Sequence, residues 1–442
     1  MGIKQSDNFL RWSTIGLLFI AMVNAYIDRG NMSMVAPVLA EELMLTSARK
    51  GYIFSAFLFG YALTQIPAGR LVDRFGVRRS YTFFYFLWGI TAALFGLANV
   101  FWHFMTLRVI LGVCEAVSGP ASFKFIAAHF SKSERGLASG VFLAGTKIGP
   151  AIGAVLAAYL IEAFGWRMLF VLSGLVPLLW LLPWEILMRR IENRKDAFAV
   201  FQEGPSEESV SIPLRDIFSR AKTWGIFLGY FCYGYVWYLY INWLPSYLYD
   251  SLGLSIKETG WWSAYAYGGL AIVTVLAGFI ADKLISKGKE EGTVRKGFVI
   301  AGFLSGAAVI FLPFTTSHSL ILGILIFAIS GMGLATANTW SIMQTVAPSG
   351  TVGTFSGIQN FGATSGGALA PIIAGYLVGD TGSYGMVFVM AGMMMAVGIF
   401  SYIILIGKVE PMIFKNTKSK NNENDRIHRV GHHGETDVLE PH

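Results

Sequence analysis

Charge is what this chain has least of. Only 14% of its 442 residues are Asp, Glu, Lys or Arg, against roughly 25% in an ordinary soluble domain. A soluble chain this long would divide into two or three domains with polar surfaces, and nothing here could cover them. Cysteine is almost missing too. Cys114 and Cys232 both sit inside apolar runs and build neither a disulfide framework nor a metal site. No metal-ligand pair falls at helical spacing and no nucleophile is set beside a base, so the chain does not read as an enzyme. The net charge is +7, but Lys and Arg lie in short loops between apolar stretches. That is the distribution of positive charge at the cytoplasmic side of a membrane rather than a nucleic-acid surface.

Apolar length is what the chain does have, with 54% of its residues hydrophobic. A bilayer core of ~30 Å needs about 20 apolar residues per helix. The runs predict twelve spans: 13–36, 51–71, 80–100, 102–127, 136–162 and 166–188, then 222–249, 259–282, 297–314, 319–347, 352–379 and 384–407. Each is read as a helix, because a span in lipid must satisfy its own backbone hydrogen bonds. Lys4 and Arg11 precede the first run as they would in a signal peptide. The run continues past Asp28 and Arg29 to Pro37 with no cleavage site, which makes it the first membrane helix.

The fold class expected is therefore an all-α membrane protein of two six-helix halves. Its predicted parts are an N-terminal half (1–188), a cytoplasmic linker (189–221), a C-terminal half (222–407) and a disordered cytoplasmic tail (408–442). The linker holds Arg189, Arg190, Arg194, Lys195 and an acidic patch at Glu203–Glu208. The tail is rich in Asn and Lys, and its His428, His432 and His433 read as solvated rather than metal-binding. Loop 2–3 carries Arg70, Arg74, Arg78 and Arg79, loop 4–5 carries Lys132 and Arg135, and loop 8–9 carries five basic residues. Loop 3–4 has none, which predicts that both termini face the cytoplasm across a cell (inner) membrane.

The halves repeat. Gly69-Arg70-Leu71-Val72-Asp73-Arg74 after span 2 recurs as Gly278-Phe279-Ile280-Ala281-Asp282-Lys283 after span 8. Gly140, Gly145, Gly149 and Tyr159 of span 5 recur at the same spacing as Gly357, Gly362, Gly366 and Tyr376 of span 11. Parallel six-span repeats are one plan of secondary transporters, with the site between the halves near midplane.

Five charges fall inside the N-terminal spans: Asp28, Arg29, Arg108, Glu115 and Lys147. Each would cost about 2.5–3.5 kcal/mol alone at the bilayer centre, so they must pair or share a polar cavity. Arg108 and Glu115 lie two turns apart on one face of span 4. The bland reading is a static salt-bridge network, although such pairs are costly to build. The sharper reading is that Asp28 and Glu115 carry protons beside arginines that bind an anion. Three basic and two acidic side chains leave the cluster at +1 with both acids ionised and at +3 with both protonated. For Lys147, pairing with Glu115 or snorkelling stands beside a direct role in binding the anion. Tyr26, Tyr61, Tyr233, Tyr238, Asn242, Asn338, Trp340, Gln359 and Asn360 are candidate hydrogen-bonding groups for hydroxyls, each weighed against simple helix packing.

Gly69-x-x-x-Asp73-Arg74-x-Gly76-x-Arg78-Arg79 resembles the loop 2–3 signature of the major facilitator superfamily. Asn24-Ala25-Tyr26-Ile27-Asp28-Arg29-Gly30-Asn31-Met32-Ser33, with Arg108 and Glu115, resembles the first-helix and fourth-helix signatures of the anion:cation symporter family. The resemblance implies proton-coupled uptake of a small carboxylate, a sugar acid of the aldonate or hexuronate type, by alternating access. It implies proton sites at Asp28 and Glu115 and anion-organising arginines at Arg29 and Arg108. Tyr26, Tyr61, Thr339, Trp340 and Asn360 match sugar-acid contacts of the family. This chain departs from it at Tyr233, where a glutamine stands in such carriers, at Ala337 for a serine, and at Lys147. Gly69, Asp73, Arg74 and Arg78 would form the gate that locks the outward-open state.

No cofactor is implied beyond the proton as coupling ion. The expected partners are the substrate and membrane lipid, with no nucleic acid, and the chain is expected to be a monomer. An uncoupled facilitator or antiporter, to which Gly149-Pro150 points, remains open, as does a transporter-like sensor.

Overall fold

The computed structural model describes residues 5–131, 134–194, 212–348 and 351–414. Lys132, Lys195, the Glu203–Glu208 patch and the tail histidines lie outside them. The described residues are helical and contain no strand.

Nine stretches among them are long and apolar enough to cross a bilayer. One, Arg135–Glu192, runs 58 residues and holds both span 5 and span 6. Gly165 divides it at φ 78°, a backbone angle that glycine adopts without strain. Two more helices complete the twelve: span 2, Ser47–Phe75, and span 7, Ala221–Ser246, which continues through a π turn at Tyr247–Ser251. Both are less apolar for a visible reason. Span 2 carries Arg49, Lys50, Arg70, Asp73 and Arg74, and span 7 is crowded with Tyr and Trp. The other spans are span 1 (Gln5–Glu42), span 3 (Val77–Leu97), span 4 (Phe101–His129), span 8 (Ile256–Ser286), span 9 (Glu291–Phe314), span 10 (His318–Val346), span 11 (Val352–Thr381) and span 12 (Gly385–Leu405).

Two details differ from the apolar runs. Span 1 extends well beyond 13–36, because its ends are held by polar contacts that hydropathy does not register. Arg194 pairs with Asp7 at 2.6 Å at one end, and Trp166 and Arg167 donate to Glu42 at 2.7 and 2.8 Å at the other. Span 4 is two helices, Phe101–Glu115 and Ser118–His129. Pro120 has no N–H for the carbonyl four residues back, so the ladder is interrupted just after Glu115.

The repeated glycines make equivalent contacts in the two halves. A Cβ at Gly145 would lie 2.9 Å from Phe19 O, and one at Gly149 2.7 Å from Val23 O, so span 5 packs backbone to backbone on span 1. At Gly362 and Gly366 the corresponding distances are 2.5 Å to Phe227 O and 2.2 Å to Phe231 O, which sets span 11 on span 7 in the same way. Small residues permit this approach where lipid supplies no hydrophobic drive for helices to associate.

The halves are latched on the side of loop 1–2. There Lys50 pairs with Asp250 (3.2 Å) and Lys257 with Glu162 (2.8 Å). Tyr52 and Tyr376 share a 2.7 Å hydrogen bond, and Ser55 Oγ donates to Ala368 O at 2.7 Å. Gly51 leaves no room for a side chain, since a Cβ would fall 2.3 Å from Pro371 O. Towards the opposite face the halves meet through a 3.5 Å hydrogen bond from Asn360 to Gln65. The ion pairs there stay within one half: Lys124 with Asp73, Arg78 with Glu185 and Glu192, and Arg295 with Asp282.

Candidate functional site

Span 1 delivers Tyr26, Asp28 and Arg29 to the middle of the N-terminal half. Span 4 delivers Arg108 and Glu115, span 2 Tyr61, and span 5 Lys147. Arg29 and Glu115 form an ion pair sealed from solvent. Nη2 and Nε of Arg29 both donate to Glu115 Oε2, at 2.8 and 3.0 Å. The guanidinium lies among three aromatic rings, 4.4 Å from Tyr26, 4.7 Å from Phe57 and 5.0 Å from Tyr61. Such stacking offsets part of the cost of removing the cation from water. From the other half, the Tyr238 hydroxyl reaches Arg29 Nη1 at 3.5 Å. Tyr238 thus places span 7 against the charge cluster.

The neighbouring charges are held differently. Asp28 Oδ2 accepts a 2.7 Å hydrogen bond from the Trp88 indole of span 3, with Asn24 at 3.5 Å. Arg108, 2% exposed, donates through Nε to Ile53 O at 3.3 Å and lies 5.2 Å from the Phe57 ring. Asp28 Oδ1, Arg108 Nη1 and Glu115 Oε1 are buried without a hydrogen-bond partner. Buried charged groups in that condition are expensive, and they form a set of donors and acceptors ready for an incoming group.

Lys147 does not pair with Glu115, whose carboxylate is already engaged by Arg29. It sits half a turn away from Gly145 and Gly149, the residues that face span 1. Its ammonium therefore points at the C-terminal half, 4.4 Å from the Trp237 ring and 5.9 Å from that of Tyr233.

The C-terminal candidates are spread more widely. Tyr233 is buried, stacked on Tyr230, and shares a 2.7 Å hydrogen bond with Thr336 Oγ1. Thr339 is buried with its hydroxyl donated to Thr336 O. Trp340 donates to the Tyr230 hydroxyl at 2.7 Å, and Asn360 reaches Gln65 of span 2 at 3.5 Å. Asn242 and Asn338 spend their amides on carbonyls of their own helices, whereas Gln359 is fully buried with neither amide atom partnered. Gly69 has open space around it, Asp73 is paired with Lys124, and Arg74 lies against Phe75.

Sequence reasoning missed Trp88, Trp237 and Phe57. The first two had a legible signal, because an indole in a membrane span needs an acceptor or a cation for its amphipathic ring. Phe57 had none, since only the packing of spans 1, 2 and 4 brings two guanidinium groups to one ring. Among the described residues no cluster of His, Cys, Asp and Glu could hold a metal ion.

A family model described as Major Facilitator Superfamily matches residues 18–371, and the chain belongs to that superfamily. It is a multi-pass membrane transporter rather than an enzyme. The D-galactonate transporter of Escherichia coli O6:H1 is 28% identical over 417 residues, covering 90% of this chain and 96% of that protein. The probable L-galactonate transporter of Escherichia coli K12 is 31% identical over 418 residues, covering 91% of each. The crystal structure of a bacterial homolog of the human lysosomal transporter Spinster, in an inward-facing and occupied conformation, shares the fold. Its TM-score is 0.67 at 18% identity, over 90% of this chain and 95% of that one.

Proposed function

We propose that this chain imports a small organic anion of the sugar-acid type, driven by protons, through alternating access of its two halves. The observation that carries this reading is the sealed Arg29–Glu115 pair, with Asp28 and Arg108 beside it and one unpartnered atom on each of Asp28, Arg108 and Glu115. A substrate carboxylate that engages Arg29 or Arg108 releases an acid from its counter-charge, and burial then favours the protonated acid. Asp28 and Glu115 are the proton sites in this scheme, and Arg29 and Arg108 bind the carboxylate. Tyr26, Tyr61, Tyr233, Thr339, Trp340 and Asn360 contribute the remainder of the pocket. The galactonate relatives support the sugar-acid class.

The topology proposed puts both termini and the 189–221 linker in the cytoplasm of a cell membrane, with the tail beyond 407 on the same side. The side latched by Lys50–Asp250 and Lys257–Glu162 is then the outer one. Gly69, Asp73, Arg74 and Arg78 form the cytoplasmic latch in the opposite state, which accords with Asp73 binding only its own half here. The monomer is the functional unit, with the proton as the only coupling species.

A ligand screen tests the class directly. The purified protein is expected to gain thermal stability with aldonates, uronates or aldarates, and more at acid than at neutral pH. Stabilisation by neutral sugars or organic cations instead of acids would contradict the reading.

A further inference from the structure

Lys147 is the charge that the rest of the cluster does not balance. Arg29 is matched by Glu115 at 2.8 Å, and Arg108 lies near both Glu115 and Asp28 without bonding to either. With all five groups ionised, the cluster keeps a surplus of one positive charge. The Lys147 ammonium makes no ion pair among the described residues and is faced only by the rings of Trp237 and Tyr233. Aromatic faces repay part of the desolvation of a membrane cation, and an anion repays more. The arrangement is also directional. Arg108 bonds to Ile53 and stacks on Phe57 within the N-terminal half, whereas Lys147 lies against Trp237 and Tyr233 of span 7, as Arg29 meets Tyr238 of that span. Tyr26, whose ring faces Arg29, lies near both Tyr233 and Tyr238 of span 7.

From this geometry we propose that the substrate carries two anionic groups at the ends of a short polar chain. One group is taken by the buried arginines, Arg108 with its unpartnered Nη1 foremost. The other is taken by Lys147 beneath Trp237 and Tyr233. The second group is a carboxylate or a sulfonate, either of which satisfies an ammonium. This inference rests on the organic-anion reading above and narrows it from acids in general to dianions.

The test uses the full-length purified protein and two matched pairs of acids. Galactarate and galactonate differ only in whether the far carbon is a carboxylate. Sulfoacetate and acetate differ by the sulfonate. The readout is the ratio of dianion to monoanion affinity within a pair, so a general loss of binding does not mimic the effect. In the wild type that ratio should be about tenfold or more in at least one pair, the equivalent of one charge-assisted contact. Lys147→Gln should bring the ratio to about one, and Lys147→Arg should keep most of it. The pair that shows the preference identifies the second group. A wild-type ratio near one in both pairs overturns the dianion assignment while leaving an acid transporter intact. A preference that survives Lys147→Gln overturns the role of Lys147. If none of the four acids binds, the dianion inference fails, and the organic-anion reading fails with it only when the uronates of the screen do not bind either.

Discussion

Asp28→Asn and Glu115→Gln should abolish proton-driven accumulation while at least one of them still exchanges labelled for unlabelled substrate. Each amide imitates a protonated acid, and the surroundings can accept it. An asparagine at 28 keeps an oxygen for the Trp88 indole, which now donates at 2.7 Å. A glutamine at 115 keeps an oxygen for the Nε and Nη2 of Arg29, at 3.0 and 2.8 Å. The anion can therefore still bind and cross, but no proton can be released with it. A purely structural ion pair behaves differently. Removing one partner leaves a buried guanidinium uncompensated, at about 3–5 kcal/mol. Expression, thermal stability and exchange would then fall together. Stability near wild type with accumulation lost supports Asp28 and Glu115 as proton sites, and parallel loss of all three defeats that assignment.

Arg108→Lys should be nearly as damaging although it preserves the charge. The guanidinium uses Nε to hold Ile53 O at 3.3 Å and stacks on Phe57, which leaves Nη1 free. That is the geometry of a fork with one position open to a carboxylate. A lysine is a point charge with no planar face for the Phe57 ring, and it cannot anchor to the carbonyl and engage a carboxylate in the same way. Losing one charge-assisted hydrogen bond of about 1.5–3 kcal/mol lowers substrate affinity on the order of tenfold to a hundredfold. Titration of the purified variant by tryptophan fluorescence or calorimetry measures this. An Arg108→Lys protein that binds within about threefold of wild type would show that charge alone matters at this position.

The fold was legible in the sequence because its signals are long. Twelve apolar stretches and a glycine pattern written twice survive errors of several residues at each boundary. The glycines also gave more than a count. The spacing shared by Gly145 with Gly149 and Gly362 with Gly366 marked the repeat of the halves, and the structure has two equivalent helix contacts there, span 5 on span 1 and span 11 on span 7. The charged residues of the site were equally visible, since ionisable groups in a membrane span stand out against their neighbours.

Pairing was not legible. Helical spacing places Arg108 and Glu115 on one face of span 4, yet Glu115 bonds to Arg29 of span 1. The partner of Asp28 is an indole from span 3, a helix with no charge near that depth. The orientation of Lys147 depends on which face of span 5 the glycines commit to span 1. That becomes clear only once two helices are seen in contact. Thr339 and Tyr233 show the reverse limit: the resemblance marks Thr339 as a contact and Tyr233 as a departure from the family, while the hydroxyls of both bond within the C-terminal half.

Proton coupling is tested most directly in proteoliposomes loaded with no substrate and given an acid exterior. The best ligand of the screen should accumulate inside above its external concentration. That accumulation should vanish when a protonophore, with a potassium clamp to fix the membrane potential, collapses the gradient. Equal accumulation with and without the gradient would contradict proton coupling and leave Asp28 and Glu115 as structural charges.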